Sequence, residues 1–92
     1  MRIAAGIGSF LGRAVAIAQA GELAAGFTAL EQIPTDRTAN YQPYWAARGH
    51  LLQLLSRKDE AREAFNRAAS LTDDLALREY LFQRSAVLST DD

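Results

Sequence analysis

His50 is the single histidine of the chain. With Gln53 one helical turn on, it is the nearest approach here to a group that could hold or move a proton. Side chains at i and i+3 lie on one helix face, so the two could work together. Acid–base chemistry needs a carboxylate within hydrogen-bond reach of the imidazole. The nearest in sequence, Asp59 and Glu60, fall beyond a polar turn at Ser56-Arg57-Lys58. One histidine in a chain without cysteine is also a poor metal site. What is left for His50 and Gln53 is hydrogen bonding, with a solvated polar face the simpler reading and ligand binding the functional one, and Tyr41 and Tyr44 stay open as aromatic recognition residues. Trp45 lies next to them, but its place in the helical pattern assigns it to the core. No nucleophile elbow, phosphate loop, dinucleotide fingerprint or zinc-protease motif occurs, so neither an enzyme nor a cofactor is expected.

The charged residues point the same way. Arg48, Arg57, Lys58, Arg62 and Arg67 could form a basic ridge, but Asp59, Glu60 and Glu63 interleave with them. A mixed, solvated face is the simpler reading, with Glu63 and Arg67 at i, i+4 as a surface pair worth about 0.3–0.5 kcal/mol. The formal net charge is −1, whereas phosphate-driven binding needs a basic surface. Direct nucleic-acid binding is not expected.

These residues must be positioned by helices, because no segment alternates with period two over strand length. The chain has 92 residues, enough for one domain that buries roughly 60–65% of its unfolded surface. Residues 1–9 are small and apolar, weakened as helix by Gly6 and Gly8, with Ser9 available as an N-cap. Residues 10–33 read as a first helix pair. Leu11, Ala14, Val15, Ile17 and Ala18 face inward on one helix, and Leu23, Phe27, Leu30 and Ile33 on the other. Gly21 makes the turn between them. Residues 34–42 read as a polar loop. Residues 43–71 form a second pair, from Pro43 to Leu55 with Trp45, Gly49, Leu52 and Leu55 inward, and from Lys58 to Ser70 with Ala61, Phe65, Ala68 and Leu71 inward. Residues 73–88 form a capping helix, with Thr72, Asp73 or Asp74 as N-cap and Leu77, Tyr80, Leu81 and Leu88 as its apolar positions. Ser89 to Asp92 reads as a frayed tail. The fold class is all-α, about five helices.

No run reaches the roughly 18 apolar residues of a spanning helix. Met1-Arg2 and the small-residue run to Ala18-Gln19-Ala20 superficially suit a secretory leader. Arg13 interrupts its would-be apolar region, so a leader is not expected, and the absence of cysteine fits a cytoplasmic protein.

The second helix pair resembles the tetratricopeptide repeat. Trp45, Gly49, Leu52, Ala61, Phe65 and Ala68 stand at its W, G, Y, A, F and A positions. Small residues let the helices approach, and the aromatic ones fill the gap between neighbouring pairs. Leu23-Phe27-Leu30-Ile33 laid over Ala61-Phe65-Ala68-Leu71 suggests a more degenerate first copy, hence a short α-solenoid of stacked pairs. In such a unit His50 and Gln53 face the concave groove. The resemblance also implies that clamping of a peptide carboxylate is absent, since Ala46 and His50 stand where Lys and Asn would be.

A second resemblance covers Leu11 to Leu88. Leu11-Gly12-Arg13-Ala14-Val15-Ala16-Ile17-Ala18, Ala46 to Leu52, Asp59 to Leu71 and Arg78 to Leu88 are similar to the C-terminal helical extension of bacterial extracytoplasmic-function sigma-70 factors. Departures are Gly12 for the usual Asn, His50 for Asp, Ser56 for Gly and Leu77 for Glu. Residues before Leu11 do not match well, and the segments that bind promoter and polymerase have no counterpart in this sequence. The resemblance implies a regulatory module that contacts sigma-factor core domains or RNA polymerase and tunes transcription initiation. A different class of reading is a self-associating scaffold, in which Phe10, Leu11 and Val15 on an uncapped N-terminal face are covered by a second copy. A third is a small-ligand binder that uses the groove at His50 and Gln53.

Overall fold

The computed structural model describes residues 7–90. Six helices and no strands occur among them: α1 (Ile7–Gln19), α2 (Leu23–Glu31), α3 (Thr35–Thr38), α4 (Gln42–Leu54), α5 (Lys58–Ser70) and α6 (Leu75–Thr90). None of these helices is long and apolar enough to cross a membrane. The poorly matching start of the chain lies mostly outside the described residues, as do Asp91 and Asp92.

The α1–α2 and α4–α5 turns are the same object. Gly21 N–H bonds to the Ala18 carbonyl and Glu22 N–H to that of Ile17, while Ser56 N–H bonds to Gln53 and Arg57 N–H to Leu52. This paired return to the last helical carbonyls puts one residue in the left-handed region: Gly21 at φ 101° and Ser56 at φ 64°. Matching the turns places Gly26 over Ala61 and Leu30 over Phe65. The register differs by most of a helical turn from the one drawn from apolar spacing alone, because the turns, and not the apolar residues, fix where each second helix starts.

Packing inside each pair is set by small residues. A Cβ on Gly26 would lie 2.8 Å from the Ala14 carbonyl oxygen and from Ala18 N, and one on Gly49 would lie 2.9 Å from the Phe65 ring. α1 rests on α2, α4 on α5 and α5 on α6, while α4 joins the two halves through contacts with α2 and α1. As the middle helix of three, α5 is buried on two sides. Ala64 and Ala69 therefore join Ala61, Phe65 and Ala68 in the core, widening the stripe read from the sequence.

Three boundaries differ from expectation, while the cap of α6 is among the candidates the sequence offered. Helix α1 is already formed at Ile7, so Ser9 lies within it rather than capping it. The expected loop contains the one-turn helix α3, which follows Pro34 and buries Thr38. Asp74 caps α6 by accepting from the N–H groups of Ala76 and Leu77, and the helix runs through Ser89 and Thr90 instead of fraying there. Tyr80 is exposed, and Leu81, Ser85 and Leu88 form the buried face of α6. Its outer side carries exposed Leu75, Phe82 and Val87, whereas the terminal repeat of a solenoid ends in a polar face.

Candidate binding cleft

Trp45 organises the site. Its indole N–H donates to the Thr38 carbonyl at 2.9 Å, with the Ala39 carbonyl at 3.3 Å, so α3 is tied to the first turn of α4. Tyr44 meets it edge to face at 5.1 Å and is itself buried. Arg67, two turns along α5 from Glu60, lies over the indole at 5.3 Å and donates to the Ala39 carbonyl at 2.7 Å. The expected Glu63–Arg67 pair is therefore not formed. The guanidinium gains a carbonyl and an aromatic face, which outweigh a solvated i, i+4 ion pair.

These residues wall a cleft of about 540 Å³ between α2, α3, α4 and α5. Glu31 and Thr35 line one side, Tyr44, Trp45 and Arg48 the second, and Glu60, Glu63, Ala64 and Arg67 the third. The lining follows from helical periodicity: positions 60, 63, 64 and 67 share one face of α5, and 44, 45 and 48 share one face of α4.

The electrostatics are a set of partly closed pairs. Arg57 grips Glu60 with two parallel bonds of 2.8 and 2.9 Å. That bidentate contact holds the Glu60 carboxyl below its ordinary value, with the charges of Arg57 and Arg48 adding to it, and it raises the Arg57 guanidinium further. Arg48 NH1 stands 3.8 Å from Glu31 and 3.4 Å from the Tyr44 hydroxyl. Arg62 pairs with Asp59 on the outer surface. The basic residues thus sit in a mixed-charge face, as the interleaved sequence implied. The Glu63 carboxylate has neither an ion-pair nor a hydrogen-bond partner among the described residues.

The sequence-derived candidates divide. Tyr44 lines the cleft. Tyr41 is half-buried against the core and stands just before α4, with no side-chain hydrogen bond to that helix end. His50 is half-buried and not part of the cleft lining. Gln53 accepts a hydrogen bond from Arg84 of α6, so it serves as a bridge between helices. At 100° per residue, positions 50 and 53 turn away from 44, 45 and 48, which is why one helix cannot bring all these candidates together. On the N-terminal face, Phe10 is exposed and borders a shallow groove of about 420 Å³ with Ile17 and Ile33. Val15 is half-buried. Leu11 is only 9% exposed and belongs to the chain's own core, so it cannot be the contact residue proposed for a second copy.

Glu31 and Thr35 were missed as site residues. Glu31 reaches the cleft because α2 packs on α4, and Thr35 because α3 is tied to the Trp45 indole. Compared with known proteins, the chain matches no family model, no curated protein and no solved structure.

Proposed function

We propose that this chain is a non-catalytic protein-interaction module, made of two tetratricopeptide-like helix pairs stacked as a short solenoid with α6 beside the second. Its docking surface is the cleft at Trp45. One observation carries the reading: an open cleft of about 540 Å³ walled by aromatic rings and opposed charges lies where the halves meet. Binding sites favour such junctions between packed units. The common turn at Gly21 and Ser56 supports the repeat, since it aligns Ala14 with Gly49 and Gly26 with Ala61, small residue with small residue.

The resemblance to sigma-factor helical extensions gives the module its partners: sigma-factor core domains or RNA polymerase in the cytoplasm, with transcription initiation tuned by the contact. The test is a pull-down of purified sigma domains and of polymerase by this domain. Retention of either supports the reading, and retention of neither at tens of micromolar sinks the assignment of partners.

A second reading, self-association, is favoured by exposed Phe10 above the groove formed with Ile17 and Ile33. It now rests on Phe10 and Val15, without Leu11. A strict monomer in light scattering at millimolar concentration would end it.

A further inference from the structure

The outer side of α6 is apolar where a surface helix is ordinarily polar. Eight of its residues between Leu75 and Leu88 are exposed, and six of the eight are apolar. On α5, by contrast, none of the six exposed residues is apolar. We infer that this face of α6 is a dimerisation surface, and that what covers it is α6 of a second copy, paired antiparallel. The surface is separate from the cleft and from the groove at Phe10.

The occupant is chosen by the pattern of the face itself. Ala76, Glu79, Gln83 and Ala86 follow one another at spacings of three, four and three residues, the seam of a two-helix coil. At 100° per residue, Tyr80 and Val87 flank that seam on one side, and Leu75 and Phe82 on the other. A two-fold axis level with Leu81 makes the seam complementary to itself. Each Ala76 then meets Ala86 of the second copy, small against small, and the helices approach closely. Each Glu79, the one charge among these exposed residues, meets Gln83 of the second copy, whose amide donates to the carboxylate. Parallel pairing would instead set Glu79 against its own counterpart, so charge selects the antiparallel arrangement.

The flanks agree with the same axis. It brings the two Tyr80 rings together on one side and the two Phe82 rings together on the other. Arg84 donates to the Tyr80 hydroxyl at 3.0 Å, which orients that ring before any partner arrives. On the Phe82 side, Leu75, Arg78, Glu79 and Phe82 line a shallow groove of about 360 Å³. The axis sets Phe82 of the second copy between Leu75 and Phe82, at the level of this groove. Each copy thus offers the same ring and the same groove, as a closed two-fold contact requires.

One helix face is a small interface, so a monomer–dimer equilibrium centred at about 0.1–1 mM is expected. Sedimentation equilibrium of the 92-residue chain reads it. Phe82→Ser should weaken the dimer more than about tenfold. Gln83→Glu, which sets carboxylate against carboxylate, should weaken it at least about threefold. Gln83 stands in solvent, so this second variant keeps the test open should F82S fail to fold. The chain has no cysteine, which allows orientation to be read directly. Ala76→Cys mixed with Ala86→Cys should oxidise to the mixed disulfide dimer in preference to either homodimer. Preferred A76C homodimers would mean parallel pairing and overturn the inference. So would a monomer throughout the range, or a dimer indifferent to both Phe82→Ser and Gln83→Glu. If that indifferent dimer is lost on Phe10→Ser, the N-terminal groove is the contact and the α6 face is not.

Discussion

The Arg48 guanidinium lies 5.0 Å from the centre of the Phe27 ring. Arg57 lies 5.1 Å from the same ring. One buried phenylalanine of α2 therefore receives cations from α4 and from the turn before α5, which joins the first helix pair to the second. The Arg48–Glu31 ion pair spans the same junction, but at 3.8 Å with Glu31 half in solvent it contributes less than about 0.5 kcal/mol. The ring contact is worth about 1 kcal/mol where partly desolvated.

Arg48→Ala should accordingly lower stability by about 1–2 kcal/mol, counting the packed stem of the side chain. Glu31→Gln should cost less than about 0.5 kcal/mol. Arg48→Lys should fall between the parent and the alanine variant, since lysine keeps the charge but not the flat stacking group. Urea unfolding of the three variants decides the matter, and an E31Q loss as large as that of R48A would show that the ion pair, not the ring, holds the junction.

The two tight glycines should differ in how their environments yield. Alanine gains about 1 kcal/mol of helix propensity over glycine, against about 1–3 kcal/mol of overpacking strain. At Gly26 the added methyl meets backbone of α1, which cannot step aside, so Gly26→Ala should cost about 2 kcal/mol net. At Gly49 it meets the Phe65 ring, which can tilt, and the net loss should stay below about 1 kcal/mol. Chemical denaturation of both variants tests the order, and a G26A protein as stable as the parent would remove the close α1–α2 crossing.

Ser56 holds φ 64°, a conformation that costs a side-chain-bearing residue about 1–2 kcal/mol. Ser56→Gly should stabilise the domain by about 0.5–1 kcal/mol after the greater entropy of glycine in the unfolded chain is counted. Gly21→Ala should destabilise it by about 1 kcal/mol. Opposite shifts in melting temperature are the expected result. A loss on S56G would mean that the serine hydroxyl supports the turn.

The Glu60 carboxyl is held below its ordinary value by the hydrogen bonds from Arg57 and then by that group's charge. Its folded value thus lies below its unfolded one. The contribution is fully present above the unfolded value of about 4.3 and is lost as pH falls through the lower, folded one. A ¹³C titration of the Glu60 carboxyl should give a midpoint below the ordinary range, moving up in Arg57→Ala. An unmoved midpoint would show that Arg57 does not hold the carboxylate in solution.

Much of this architecture is legible from residue types. The all-helical class, the span of α5 and the proline in the first turn of α4 follow from apolar spacing and backbone chemistry. So do the turn at Gly21 and the burial of Gly49, Ala61, Phe65 and Ala68. Leu11 and Tyr80 show the limit. Both sit at apolar positions of a helical pattern, yet Leu11 is interior and Tyr80 about half exposed. A pattern gives the angle of a face but not which neighbour covers it.

Periodicity, turn chemistry and composition act within a few residues of each other, and the sequence by itself settled what they control: helices, their approximate ends and their apolar faces. The tertiary structure decided the cleft. It brought Glu31 and Thr35 beside Trp45, drew Arg67 away from Glu63 onto the indole, and turned Gln53 toward Arg84. Each outcome is a competition between a local partner and a distant one. A distant carbonyl or ring enters that competition only once the helices have packed.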